Sequence, residues 1–92
     1  MLEKQIERRL VEGVKKRGGL CYKFVSPGHP GVPDRIVIKP DGKVIFVELK
    51  TDTGRLSKLQ NYTIRELREH GADVRVIWGL DGVSKLLEEV GE

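Results

Sequence analysis

The short segment Lys39-Pro40-Asp41-Gly42-Lys43 predicts a tight turn between two strands and sets how those strands pair. Proline presets φ for the second position of a type I turn, and glycine suits a position that requires φ > 0. A three-residue loop of this kind closes a hairpin in which Lys39 lies opposite Lys43. Counting outward from that pair, residue by residue, places Asp34 opposite Glu48.

This register brings charged side chains together on one face of the hairpin. Directly opposed residues share a face, with their Cβ atoms about 4.5–5.5 Å apart, and Lys50 points the same way as Glu48. A two-residue loop would shift the register by one and turn Asp34 to the other face. Two carboxylates this close repel each other unless a proton or a cation lies between them. The hairpin therefore predicts a cation site, and oxygen ligands of this type suit Mg²⁺ or Mn²⁺.

Length and composition limit the class of protein. The 92 residues are enough for one small domain, spanning residues 1–92. The net charge of +3 permits nucleic-acid binding without demonstrating it. The single cysteine, Cys21, cannot form an internal disulfide, the apolar runs are too short to cross a membrane, and no signal peptide is visible. We expect an intracellular, cytoplasmic protein with no membrane partner.

Residues 3–17 are predicted to form a helix that ends at Gly18-Gly19. Aliphatic side chains recur there at helical spacing, at Ile6, Leu10 and Val14. Glu3 falls within this apolar arc, and Glu7 lies just past its edge. Two interpretations of Glu3 remain open: an acid in the first helical turn, where the helix dipole favours it, or a side chain that points toward the hairpin acids.

The rest of the chain predicts an α/β fold, a mixed central β-sheet flanked by helices. Strands are expected over 20–25, 34–39, 43–49 and 72–78, helices over 57–70 and 84–90, and a link over 79–82. The first three strands can form an antiparallel meander, and the fourth should return through a right-handed crossover, parallel to one of them. Residues 26–33, with three prolines and two glycines, predict a rigid loop before Asp34.

Gln60 has two possible roles. Ser57 is suited to be the N-cap of the second long helix, and Ser57-Lys58-Leu59-Gln60 fits the capping-box pattern. Gln60 also shares a helix face with Ile64 and Leu67, which predicts an inward-facing amide. Gln60 is thus a candidate both for the cap and for the acidic site.

Several of these segments resemble one nuclease family. Pro33-Asp34 followed by Glu48-Leu49-Lys50 resembles the PD-(D/E)XK signature, and the predicted αβββαβ order resembles that superfamily's core. More narrowly, the chain resembles a stand-alone VRR-NUC domain, the virus-type replication-repair nuclease module. The residues that carry this resemblance are Glu3-x-x-Ile6, Gly31-Val32-Pro33-Asp34, Phe46-Val47-Glu48-Leu49-Lys50, and Gly54-Arg55-Leu56-Ser57 leading to Gln60.

The resemblance implies hydrolysis of DNA phosphodiester bonds with Mg²⁺ or Mn²⁺ as the cofactor. The counterparts of the family's metal ligands are Asp34, Glu48 and the backbone carbonyl of Leu49. The counterpart of Lys50 acts on the attacking water, and that of Gln60 supports the site. The family's helix-1 glutamate maps onto Glu3, with Glu7 as the alternative.

The resemblance also implies partners. Small stand-alone members resemble Holliday-junction resolvases and act as homodimers on branched DNA, so we expect a homodimeric protein of phage or prokaryotic origin. RNA as the substrate stays open, and the alternative function is a catalytically silent DNA-binding or assembly module with the same fold. The residues available for phosphate contacts are Arg8, Lys15, Lys16, Arg17, Arg35, Arg55, Lys58 and His29.

Overall fold

The computed structural model describes residues 2–91. Within them lie helices α1 (Glu3–Lys16), α2 (Lys58–Glu69) and α3 (Gly79–Val90), and strands β1 (Leu20–Lys23), β2 (Arg35–Ile38), β3 (Val44–Lys50) and β4 (Val74–Trp78). The strands form one sheet in the order β1-β2-β3-β4, antiparallel except between β3 and β4, which are parallel. The predicted mixed sheet flanked by helices is confirmed. None of the described helices has the length and apolar character of a membrane span.

The hairpin between β2 and β3 has the predicted register. The Lys39 N–H donates to the Lys43 carbonyl at 2.8 Å, and the Gly42 N–H donates to the Lys39 carbonyl at 2.8 Å. Gly42 has φ 89°, a conformation that glycine adopts at little cost. The opposed pairs are Arg35–Val47, Ile36–Phe46, Val37–Ile45 and Ile38–Val44. Continued one residue beyond β2, this register places Asp34 opposite Glu48.

The aliphatic core lies on one face of the sheet, beneath α1 and α3. Alternate residues of β3 point into it and are almost fully buried: Ile45, Val47 and Leu49. The helices contribute Ile6, Leu10, Val14, Val83, Leu86, Leu87 and Val90. Full burial of one such side chain stabilises a protein by about 1.5–3 kcal/mol, so this face provides most of the hydrophobic stabilisation.

On the opposite face, α2 packs against β4 and beside Glu48 of β3, and Ile64 and Thr63 of this helix are buried. Toward β1 this face is exposed: Leu20, Tyr22 and Val44 are 47%, 57% and 42% accessible. We call this apolar surface the open face and define it by Leu20, Tyr22, Ile36, Ile38, Val44 and Phe46, which the strand register places on one side of the sheet.

The start of α3 corrects one prediction. The segment 79–82, expected to be a link, is the first turn of the helix, so the predicted start at Ser84 is wrong. Gly79 has φ 64° and packs against the side chain of Asp52, and a Cβ at Gly82 would lie 2.7 Å from Cγ2 of Ile77. The two glycines allow close packing in the first turn of α3. In the sequence, a segment with two glycines resembles a turn, so it did not indicate a helix start. Other boundaries differ by one or two residues, as with β1, which ends at Lys23.

Candidate active site

Asp34 lies at the entry to β2, at the end of the glycine- and proline-rich loop. This loop is pressed onto α2 at Gly31, which has φ 90°. A Cβ at Gly31 would lie 2.8 Å from Cγ of Leu59 and 3.0 Å from Oγ1 of Thr63. Glycine is therefore required here both by the backbone conformation and by the close approach to α2. The loop thereby holds the backbone near Asp34 between α2 and the hairpin.

The Asp34 carboxylate is attached to the neighbouring strand. Its Oδ2 accepts a hydrogen bond from the backbone N–H of Leu49 at 2.8 Å. Burial raises the pKa of Asp34; the Leu49 N–H opposes this effect, and the negative charge of Glu7 adds to it. The bond keeps the carboxylate beside β3, next to Glu48.

Glu48 is only 2% exposed, although it carries an ionisable carboxyl group. Its Oε2 accepts a hydrogen bond from Nε2 of Gln60 at 3.1 Å and lies 3.5 Å from Nζ of Lys50. Its Oε1 is buried and has no hydrogen-bond partner among residues 2–91. Burial, with the nearby charge of Asp34 as a second cause and Lys50 opposing, raises the pKa of Glu48 to about 7. The positive charge of Lys50 therefore does not fully offset the burial of Glu48 and its repulsion from Asp34.

Gln60 performs both of the roles that its sequence position allows. Its Oε1 accepts from the Ser57 N–H at 2.9 Å, while Oγ of Ser57 accepts from the Gln60 N–H at 3.1 Å, which completes the capping box. Because the cap holds Oε1, the NH₂ group is left to donate to Glu48. The helix cap therefore orients the amide toward the acid.

The two candidate acids of α1 have different environments. Glu3 is exposed in the first turn of the helix, although its charge contributes to the raised pKa of Glu48. Glu7 is partly buried and accepts a hydrogen bond from Nε of Arg35 at 2.8 Å. Within residues 2–91, no three His, Cys, Asp or Glu side chains converge as a metal-binding group. Neither acid therefore forms a third side-chain ligand beside Asp34 and Glu48 in this conformation.

The basic residues predicted to contact phosphates fall into two groups. Arg35 is only 18% exposed and is paired with Glu7, and His29 lies 3.7 Å from Glu66, so both already interact within the chain. The others are exposed and form no ion pair with any described residue: Arg8, Lys15, Lys16, Arg17, Arg55 and Lys58.

No sequence pattern predicted a role for Trp78 beside the site. Trp78 lies opposite Lys50 at the end of β4, and its Nε1 donates to the Gly54 carbonyl at 2.9 Å. This bond fixes the loop that leads from Lys50 to the N-cap of α2. The signal in sequence was a lone tryptophan at a strand end, which gives no indication of its partner.

The oxygen atoms around Glu48 are suited to a divalent cation. The set would consist of Asp34, Glu48 and the Leu49 carbonyl, all hard ligands of the kind that Mg²⁺ and Mn²⁺ prefer. The buried, unpaired Oε1 of Glu48 is the observation that fits such an ion. A cation beside two carboxylates would also lower the cost of keeping both of them ionised.

Known proteins resemble this chain over most of its length. Residues 4–80 match the family model of the VRR-NUC domain. A protein of Acyrthosiphon pisum secondary endosymbiont phage 1, named "Putative nuclease p44", is 52% identical over 68 residues, which are 74% of this chain and 67% of the relative.

Two solved structures have the same fold. One, titled "VRR_NUC domain", superimposes with a TM-score of 0.87 at 32% identity and covers 94% of both chains. Another, titled "VRR_NUC domain protein", has a TM-score of 0.76 at 15% identity and covers 98% of this chain and 88% of its own. At 15% identity the second similarity supports the fold alone.

Proposed function

The chain belongs to the VRR-NUC nuclease-domain family, and from this premise we propose that it is a Mg²⁺- or Mn²⁺-dependent DNA endonuclease. The observation that carries the proposal is the buried carboxylate of Glu48 beside the half-buried Asp34: one Glu48 oxygen has no hydrogen-bond partner among residues 2–91, and Lys50 lies next to it. A buried, uncompensated carboxylate costs stability, so its presence is most simply explained by a ligand that offsets the charge.

The residues that would hold the cation are Asp34, Glu48 and the backbone carbonyl of Leu49. When bound there, the cation would supply a Lewis acid for the scissile phosphate and an activated water molecule as the nucleophile. The surrounding residues hold these ligands in place: the Leu49 N–H holds Asp34, and the Gln60 amide holds Glu48. Preorganised ligands of this kind do not need to reorganise during the reaction.

Lys50 supplies the positive charge. Its Nζ lies 3.5 Å from Oε2 of Glu48, and its side chain is only 14% exposed. As an ammonium group it can donate a hydrogen bond to the attacking water or to the phosphate oxygen on which negative charge develops. Its low exposure strengthens this interaction, because electrostatic effects are larger where water is excluded.

The proposed substrate is branched DNA such as a Holliday junction, and the proposed active form is a homodimer. One chain of this size offers a single pair of acids and little surface for DNA, whereas a two-fold dimer would present two sites to two strands. The open face supports this assembly because it exposes a contiguous apolar surface on the same side of the sheet as Asp34 and Glu48.

The catalytic proposal is tested with four-way junction, flap and linear duplex DNA, in Mg²⁺, Mn²⁺ or EDTA. Asp34→Ala and Lys50→Ala should each lower the cleavage rate by roughly 10²–10³-fold, the usual effect of removing one electrostatic stabiliser. Lys43→Ala, at the exposed hairpin turn, is the matched control. Wild-type rates in both site variants would refute the assignment. DNA binding without cleavage in either metal would support the catalytically silent module instead.

The assembly is tested by measuring the molar mass in solution by light scattering after gel filtration. Val44→Lys, on the open face, should convert a dimer to a monomer. Val25→Lys is the control, because Val25 is 70% exposed and lies outside this face. A monomeric wild type, or a dimer that Val44→Lys leaves intact, would contradict the proposed interface.

A further inference from the structure

A groove of about 940 Å³ runs along α2. Its floor is aliphatic and is formed by Leu56 and by Ile64, which is buried. Its polar lining consists of Lys58, Asn61, Tyr62, Arg65, Arg68 and Glu69. Three cationic side chains therefore face one carboxylate, which favours an anionic ligand. We call this surface the α2 groove.

The cations of the α2 groove are not paired with acids among the described residues. Arg68 donates from Nε and Nη2 to the Val74 carbonyl, at 3.2 and 2.7 Å, so its guanidinium is held in place by a neutral acceptor. Lys58 and Arg65 form no ion pair with any of residues 2–91. The charge of the groove is thus available to an external partner.

Tyr62 adds an aromatic ring to this basic surface and is 53% exposed. A large aromatic side chain that stays this exposed gains little from burial in the fold. Exposed aromatic rings among basic side chains are the usual platform on which unpaired bases stack. Inside a DNA duplex the base faces are covered by stacking, so away from duplex ends a ring in this position can stack only on an unpaired nucleotide.

The α2 groove and the acidic site are connected through one helix. Gln60, which donates to Glu48, directly precedes Asn61 and Tyr62. An α-helix with its side chains is about 10–12 Å across, so a strand bound in the groove need only cross this helix to reach the carboxylates.

We propose that the α2 groove binds an unpaired strand of the substrate DNA. Tyr62 stacks on an exposed base, and Lys58, Arg65 and Arg68 contact the phosphates. The inference rests on the proposed nuclease function, since it assigns a place to the single-stranded part of a branched or frayed substrate. An acidic peptide would meet the same charges, but it offers no base to stack on Tyr62.

The test is fluorescence anisotropy with a labelled oligothymidylate and a labelled blunt duplex, in EDTA so that no DNA is cut. Tyr62→Ala should weaken binding of the oligothymidylate by roughly 5- to 100-fold, and Tyr62→Phe should restore it, because the ring alone stacks. Duplex binding should stay unchanged in both variants. Arg65→Ala should reduce the slope of log affinity against log salt by about 0.7, as for the loss of one phosphate contact to a single strand.

Three outcomes would overturn the inference: oligothymidylate binding unchanged in Tyr62→Ala and Arg65→Ala, an equal loss of duplex binding, or Tyr62-dependent binding of polyglutamate but not of the oligonucleotide. Thermal unfolding of each variant shows that it is folded. Lys43→Ala is the control for loss of an exposed charge.

The groove and the proposed nuclease function can fail separately. If Tyr62→Ala weakens oligothymidylate binding while the wild type cuts no DNA in Mg²⁺ or Mn²⁺, the groove is supported and the proposed function is refuted. Normal cleavage with no role for Tyr62 in binding would refute the groove alone.

Discussion

The two faces of the sheet have different neighbours, and β3 contributes to both. Val47 and Leu49 point to the face that α1 and α3 cover, where the described side chains form an aliphatic core. Glu48, between them, points to the face that α2 covers only in part, and Lys50 follows on the same side. One strand thus contributes core residues on one face and two of the proposed site residues on the other.

The stability of the two faces should differ most in response to truncation. Leu10→Ala, in the covered core, should lower the free energy of unfolding by about 2–5 kcal/mol because it leaves a cavity. Val44→Ala, on the open face, should cost no more than about 1 kcal/mol when measured on dilute protein, because this side chain is 42% exposed. Urea denaturation measures both changes. Equal costs at the two positions would show that the faces do not differ in this way.

The pH dependence of stability should come from the partly covered face. The pKa of Glu48 is about 7 in the folded chain against an ordinary value of 4.5, so between these pH values the native state binds more protons than the unfolded state. The free energy of unfolding therefore falls as pH rises through this window. The decline is about 3 kcal/mol, since each tenfold change in the ionisation constant corresponds to about 1.4 kcal/mol.

Glu48→Gln removes this titration and should flatten the decline in EDTA. Above pH 7 the variant should be more stable than the metal-free wild type. Added Mg²⁺ should stabilise the wild type and have little effect on the variant, because ligand binding to the native state alone raises stability. Urea denaturation at intervals from pH 4 to 8 measures the effect. A wild-type curve parallel to that of Glu48→Gln would contradict the raised pKa of Glu48.

A pair of variants at the start of α2 should separate the two roles of Gln60. Gln60→Glu keeps a capping acceptor but replaces the amide donor with a third acid beside Glu48. It should slow cleavage by roughly 10–100-fold, consistent with the loss of a hydrogen bond to a charged group. Ser57→Ala should instead cost about 0.5–2 kcal/mol of stability through the lost cap, with a smaller effect on cleavage. The opposite ranking of the two cleavage rates would assign Gln60 to the cap alone.

Much of the fold could be predicted because its signals are local. The turn at Pro40 to Gly42, the hairpin register that it sets and the capping box at Ser57 each depend on a few neighbouring residues. The helix start at Gly79 could not be predicted, because its glycines meet Asp52 and Ile77, and only the folded packing reveals these contacts.

The hairpin register, and hence the common face of Asp34, Glu48 and Lys50, follows from the amino-acid sequence alone. The sequence leaves Glu3 and Glu7 as alternatives and allows two roles for Gln60. The folded structure was needed to show that Glu3 is exposed, that Glu7 binds Arg35, and that Gln60 caps α2 and donates to Glu48 at once. The reason is physical: register follows from the turn, whereas burial, charge neighbours and pKa depend on residues that are distant in the chain.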